Sequence, residues 1–376
     1  MTIAFICGSL QAGCDGVGDY SRKLAAELIK QGSQVTAIAL FEKDIADEIL
    51  GVQEIDGVEL PVLRIPSGWN QDKRFKRVKN YIASQNAEII SLQFVLYSFD
   101  SQGLPFTLSN WLKFAGTGRQ WHIMFHELWV GINIHSSAKL KLRGWLQKKL
   151  IQRLIAKLKP NLIHTQSRAY QAQLQNLGFE AKLLPLFGNI SITGHENNVG
   201  TAADSLVTNK EIRLVYFGFI YPGAPIQQFA REVADYSQQF NVPVSLTIIG
   251  RSGPRLASWV AEWGSVSIQL KVLGEQPVET ISKVLANASH GISTTAIELS
   301  DKSGTIAAMR EHGLPVICLS NPWSAGEYRP HEPSSGVHQY QHGCLEKFFN
   351  NKRDPPTFDH ARRVALEFAQ GLSGKY

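Results

Sequence analysis

A lysine, a serine, a glycine and a threonine in a row, Lys302-Ser303-Gly304-Thr305, open a segment of helical character and follow a carboxylate, Glu298. Small residues at a helix start let a ligand approach the first backbone N–H groups, and the helix dipole favours an anion there. Lys302 adds a full positive charge at the same place. Such a seat suits a phosphate, and the carboxylate beside it suits a ligand rich in hydroxyls. The bland alternative is an ordinary strand–turn–helix with a good start signal.

The surrounding elements must position these residues. Ile292–Ile297 reads as a strand, Glu298–Lys302 as a polar turn, Ser303–His312 as a helix and Leu314–Cys318 as the next strand. Gly313 stands where a helix C-cap glycine belongs, and Pro315 follows it. Strands are also expected at Arg213–Phe217, Val244–Gly250 and Ile268–Gly274. Helices fall between them at Ile226–Phe240, Leu256–Trp263 and Val278–Ala288. This alternation is that of a doubly wound parallel sheet.

The first half repeats the plan without repeating the sequence. Ile3–Cys7 is a strand, a loop with Gly8, Gly13, Gly16 and Gly18 follows, and Tyr20–Lys30 has helical spacing before the strand Gln34–Leu40. The glycines miss the G-x-G-x-x-G pattern, because Ser21 stands at its last position, so a nicotinamide dinucleotide site is only weakly supported. Further strands are expected at Val58–Ile65, Glu88–Phe94, Trp121–Phe125 and Asn161–Gln166, with Lys182–Leu186 leading out. Trp121–Phe125 delivers His126 and Glu127 to its carboxyl end, where open α/β sheets bind ligands. A satisfied structural role is the commoner fate of a lone histidine.

Composition sets the outer bounds. At 376 residues, 44% hydrophobic and 19% charged, the chain is globular and long enough for two domains. The expected division is a first domain over 1–187, a linker over 188–210, a second domain over 211–350, and a C-terminal helix within 351–376 that packs back on the first. Pro322–Gly343 reads as loop. A net charge of +6 admits anionic partners. The four cysteines, Cys7, Cys14, Cys318 and Cys344, show no C-x-x-C spacing, as expected of a reduced, cytoplasmic chain. The opening residues read as a buried strand, not a signal peptide. Leu140–Leu158 is an amphipathic helix, and between Lys139 and Lys159 there are eight basic residues and no acidic one. With the basic run Lys73–Lys79, it raises peripheral contact with an anionic membrane beside the alternative of a core helix with a solvated basic face.

In combination, these segments resemble the GT-B glycosyltransferases, most closely the retaining, family-four-like branch. Gly16–Leu40 resembles that family's glycine loop, helix and second strand. Phe125–Gly131, FHELWVG, resembles its histidine-ended strand, and Leu162–Ser167 the strand near the end of its first domain. LVYFGFIYPGAP, LTIIGRSGPR and KSGTIAAMREHGLPVI follow its donor-binding order. The resemblance implies two Rossmann-like domains and a glycosyltransferase that moves a sugar, with retention, from a UDP- or GDP-linked donor to a glycan, lipid-linked or small-molecule hydroxyl. It implies that His126 contacts the donor sugar, that Gly16 and Gly18 line the cleft between domains, and that Gly218, Arg251, Lys302, Ser303, Gly304 and Thr305 hold the donor, with Glu298 as the catalytic carboxylate.

The departures are specific. The loop after Gly218 reads Phe219-Ile220-Tyr221-Pro222-Gly223-Ala224, without the family's Arg and Lys, and Ala308 stands where its second glutamate would be. Glu298 lies two residues early for the first glutamate, with Asp301 as the alternative. Lys302 and Arg251 are the candidates to replace the missing charges. No D-x-D occurs, so a metal clamp is not indicated. Two other classes stay open. One is a non-catalytic relative that binds a sugar nucleotide or a partner. The other is a sugar-nucleotide epimerase, which would need acid and base carboxylates. Nucleic-acid binding is weakest, for the basic runs lack interleaved aromatics.

Overall fold

The structure, a computed structural model, describes residues 1–192, 211–321, 323–325 and 334–374. Most of the expected linker, 193–210, lies outside these residues, as does 326–333 of the loop expected at Pro322–Gly343. The chain forms two compact units. The first comprises Met1–Pro185, residues 324–325 and residues 361–374, and the second comprises 186–192, 211–321, 323 and 334–360.

The first unit is built on eight strands: β1 Thr2–Cys7, β2 Gln34–Glu42, β3 Ile49–Ile55, β4 Val58–Pro66, β5 Ile89–Phe94, β6 Gln120–Phe125, β7 Leu162–Thr165 and β8 Lys182–Leu183. Their order is β3-β4-β2-β1-β5-β6-β7-β8. All pairings are parallel except β3 with β4. Ile3–Cys7 is wholly buried, as a central parallel strand covered on both faces must be. The antiparallel β3 was not expected. Its signal is the Asp56-Gly57 pair, both at positive φ, which closes a tight hairpin.

Six strands form the second unit: β9 Ile212–Phe217, β10 Val244–Ile249, β11 Gln269–Gly274, β12 His290–Ser293, β13 Val316–Cys318 and β14 Val337–Gln339. Their order is β11-β10-β9-β12-β13-β14, with every pairing parallel. β14 falls inside the stretch expected as loop. Phe229, Trp259, Trp263 and Tyr340 fill one core face. In each sheet the order reverses beside one strand, β1 in the first and β9 in the second. That is the switch point at which ligands enter such folds.

Two boundaries differ where local hydrogen bonds overrule composition. The first helix runs over Gly16–Lys30, four residues earlier than expected, because the Asp15 carboxylate caps it. Gly16 and Gly18 are therefore helical, not loop. β12 stops at Ser293 instead of Ile297. Thr294 turns its hydroxyl to a neighbouring loop, and Ile297–Lys302 winds as a 3₁₀ helix in place of the expected turn.

The basic helix spans Ala138–Leu158 and buries Gly144, Gln147, Ile151, Leu154, Ile155 and Leu158. Leu142 and Trp145 in its first half are 65% and 55% exposed. The Lys73–Lys79 run lies in the helix Gln71–Ser84 and is largely engaged internally. Arg74 is buried and donates to the Pro66 and Ser67 carbonyls, while Arg77 pairs with Glu48 and Lys76 with Asp72. Among the described residues no helix is long and apolar enough to cross a membrane.

The last helix, His360–Leu372, closes the first unit's core. Phe368 is fully buried, stacks on Phe5 at 5.8 Å between ring centroids and meets the edge of His122 at 4.9 Å. Replacing a buried phenylalanine by alanine removes its transfer energy and leaves a cavity. Phe368→Ala should cost about 3–5 kcal/mol, read as a lower urea midpoint at an unchanged slope.

Candidate functional site

At the second unit's switch point the chain leaves β9 through Gly218, at a φ of 98°. A Cβ there would lie 2.7 Å from the Thr305 side chain. Only glycine lets the strand end meet the first turn of the helix Gly304–Glu311. Ser303 caps that helix, its hydroxyl accepting from the Ile306 N–H at 3.4 Å and lying 3.2 Å from the Thr305 hydroxyl. The cap is neutral, and Lys302 directly precedes it. The Gly304 and Thr305 N–H groups meet no acceptor among the described residues. Gly218, Ser303, Gly304 and Thr305 thus come together at one helix start, and Lys302 is the residue before its cap.

Arg251 does not join them as a bare charge. It follows β10, the neighbour of β9, but is exposed and makes a bidentate pair with Glu275 at 3.1 and 2.9 Å. That pair holds the Glu275 carboxyl below its usual range. Glu298 stands in the 3₁₀ turn, not at the mouth of a strand, and its Oε2 accepts the Trp323 N–H at 3.4 Å. Beside it Cys318 is inert: burial, aided by Glu298, pushes its thiol up to about 12. The base-free loop is rigidly held. The Tyr216 hydroxyl donates to the Phe219 carbonyl at 2.6 Å, and the Tyr221 N–H donates to Thr294 at 2.9 Å. Phe219 and Tyr221 stand out to solvent, edge to face at 5.3 Å.

The first unit's switch point is organised by a buried carboxylate. Glu42 accepts from the Ser9 hydroxyl at 2.7 Å, the Leu10 N–H at 2.8 Å and Arg64 Nε at 2.7 Å, fixing the loop after β1. Burial alone would raise its carboxyl, but these donors outweigh burial and hold it below the usual range. At the following helix start, Asp15 accepts the Val17 N–H at 2.9 Å and also bonds Gly18. This N-terminus already carries an anion. Gly18 is needed for close approach, because a Cβ would strike the Ser9 carbonyl, whereas Gly16 faces open space.

His126 is the first residue past β6 and only 7% exposed. Its Nε2 lies 2.9 Å from Gln93 Oε1 and its Nδ1 3.3 Å from Gln166 Oε1. Among the described residues no group of three His, Cys, Asp or Glu side chains is placed to hold a metal ion.

Comparison with solved structures matches this architecture along the whole chain. Anabaena HepE, solved with UDP and glucose, matches with a TM-score of 0.56 over 100% of both chains at 14% identity. The catalytic domain of Arabidopsis thaliana starch synthase IV, bound to ADP and acarbose, matches at 0.58 over 100% of this chain and 99% of that one, at 11% identity. The chain has the GT-B fold. A UDP-GlcNAc 2-epimerase from Neisseria meningitidis, bound to UDP-GlcNAc, shares that fold at 0.55, with both chains fully covered and 9% identity. No protein-family profile and no curated protein sequence matches.

On this GT-B frame, several residues that hold the sites in place were not among the expected ones: Asp15, Glu42, Gln93, Gln166 and Thr294. Gln93 carried a legible signal, as a polar residue two after Ser91 in an otherwise apolar strand. For Glu42 the sign of the pH effect follows from its lowered carboxyl. Its contribution is present at neutral pH and lost as pH falls through the carboxylate range. Glu42→Gln leaves Arg64 buried without its charge partner, so it should cost about 3–5 kcal/mol at pH 7. The gap from the unmutated protein should narrow towards pH 4 in urea titrations.

Proposed function

We propose that the protein is a glycosyltransferase that seats the diphosphate of a nucleotide sugar on the helix start at Lys302–Thr305. From there it moves the sugar to a hydroxyl acceptor with retention, without a metal clamp. The single observation carrying this reading is the contrast between the two switch points. One helix start is filled by the chain's own Asp15, and the other has a neutral cap, a preceding lysine and open space at Gly304.

The chemistry follows from what these groups can do. The bond from the anomeric carbon to the phosphate oxygen breaks, and the departing diphosphate gains negative charge. Fixed N–H groups and Lys302 stabilise that charge with little reorganisation. The acceptor oxygen bonds to the anomeric carbon on the face the phosphate leaves, and its proton passes to the leaving phosphate. Glu298, with one oxygen on the Trp323 N–H, has its other for a donor hydroxyl. A UDP- or GDP-linked donor is the working choice. The fold neighbours solved with UDP, glucose and ADP support a sugar nucleotide in general. The epimerase neighbours favour a second reading, in which UDP-GlcNAc is converted and not consumed. Incubation with UDP-GlcNAc and candidate acceptors, followed by NMR, separates a transferred sugar from an inverted C2 centre.

Calorimetric titration with UDP, GDP and their sugars tests the seat. Lys302→Ala should weaken binding by about 1.5–3 kcal/mol, the range of a charged hydrogen bond. Unchanged affinity in a folded variant would remove Lys302 from the site.

We also propose that the acceptor is met at a membrane surface. The support is the first half of the helix Ala138–Leu158, where Leu142 and Trp145 stand exposed among Lys139, Lys141, Arg143 and Lys148. Exposed leucine and tryptophan beside basic residues suit an interfacial position. Each cation near an anionic surface is worth about 1 kcal/mol. Co-sedimentation with phosphatidylserine vesicles should occur at low salt and fall at high salt. It should also fall in Trp145→Glu. Equal binding to anionic and neutral vesicles, or none to either, would speak for a soluble acceptor.

A further inference from the structure

The strand β3 ends the first sheet, and among the described residues no strand lies beyond it. An edge strand leaves a row of backbone N–H and C=O groups without a ladder partner, and proteins blunt such edges with lysine, proline or a bulge. β3 has none of these. Its sequence is ILGVQEI, and its register with β4 runs from Ile49–Arg64 to Ile55–Val58 without a shift.

The hairpin settles which groups face outward. Asp56 and Gly57, both at positive φ, form a two-residue turn, so Ile55 and Val58 close it as a hydrogen-bonded pair. Alternation then directs the backbone groups of Ile49, Gly51, Gln53 and Ile55 to β4, and those of Leu50, Val52 and Glu54 away from it. The side chains of Leu50 and Val52 sit on one face of the strand. They are 60% and 55% exposed. Outward backbone groups and uncovered apolar side chains thus belong to the same two residues.

We propose that β3 pairs with β3 of a second copy of the chain, antiparallel about a two-fold axis at Gly51. Only outward-facing residues can form the hydrogen-bonded pairs of the new ladder. An axis at Leu50 would set Val52 against the other copy's Glu48, and an axis at Val52 would set Leu50 against its Glu54. The axis at Gly51 sets Leu50 against Val52 twice over, so every exposed apolar side chain meets another. The segment is its own complement, as a two-fold interface requires. That complementarity is what points to a second copy and not to a foreign strand. At either end Glu54 comes opposite the other copy's Glu48, whose carboxylate lies 2.8 Å from Arg77 Nε. Two carboxylates then share one guanidinium, and salt screens the repulsion that is left. The dimer therefore tightens as ionic strength rises.

Sedimentation equilibrium on the full chain tests the pairing. The mass should rise with protein concentration from 41.7 kDa towards twice that value, and rise further at high salt. Val52→Pro removes an outward N–H that β4 does not use, and Leu50→Lys places a charge in the apolar contact. Both variants should stay monomeric. Urea unfolding checks each fold, and the exposed position of Leu50 keeps the test decisive if Val52→Pro fails to fold. The register is read by cysteine crosslinking. Gly51 would meet its symmetry mate as a non-hydrogen-bonded pair, with Cα atoms about 4.5 Å apart, a distance a disulfide spans. A Cβ on Gly51 meets nothing within 4 Å, so Gly51→Cys is tolerated. Under mild oxidation Gly51→Cys should form a linked dimer, while Gln53→Cys and the unmutated protein should not. A monomer at every concentration and salt, a dimer that loosens with salt, or one that both Leu50→Lys and a folded Val52→Pro keep, would overturn the proposal. So would Gln53→Cys crosslinking as fast as Gly51→Cys.

Discussion

A single methyl group at residue 218 would push the end of β9 away from Thr305, and the position of the helix start beside that strand depends on the contact being possible. The positive φ at Gly218 turns the chain just as the strand ends, so the following loop rises clear of the helix start. The same turn lets Tyr216 and Thr294 hold the loop from beneath. Remove the close approach and the helix N–H groups, the lysine before them and the loop no longer converge. The site is therefore made by backbone proximity first and by side-chain charge second.

Charge then separates two helix starts that share one architecture. Both follow a central strand of a parallel sheet, and both expose N–H groups at a switch point. In the first unit the chain fills the position itself, and burial raises the Asp15 carboxyl despite its hydrogen bonds. In the second a serine supplies the cap and contributes no charge. Helix dipoles treat the two ends alike. Which of them remains open to an external anion is decided by one side chain in each.

Regular elements were legible in the sequence where burial and period agreed. Ile226–Phe240 has the bounds its spacing predicts, and Ile3–Cys7 reads as a strand because both of its faces are covered. The helix start at Ser303–Thr305 was legible as a local pattern, because helix-start chemistry is local. Arg251 was not, since its engagement with Glu275 is a contact between two loops. The early start at Gly16 was hidden by counting glycines instead of weighing the aspartate before them. The contacts of His126 with Gln93 and Gln166 need the register of three strands, which no single segment states. The unexpected β3 is mostly exposed, so hydrophobic pattern had little to report there.

The C-terminal helix gives the molecule a history as well as a shape. Phe368 closes a core whose other walls, Phe5, His122 and His164, belong to the first third and middle of the chain. Residues 186–360 are made in between. At about 5–20 residues per second, synthesis leaves that face without its cover for roughly ten to thirty seconds. During that interval the ribosome holds a nearly complete sheet with an apolar floor and a row of uncovered histidines. The final packing of the first unit therefore waits until the whole second unit has been synthesised.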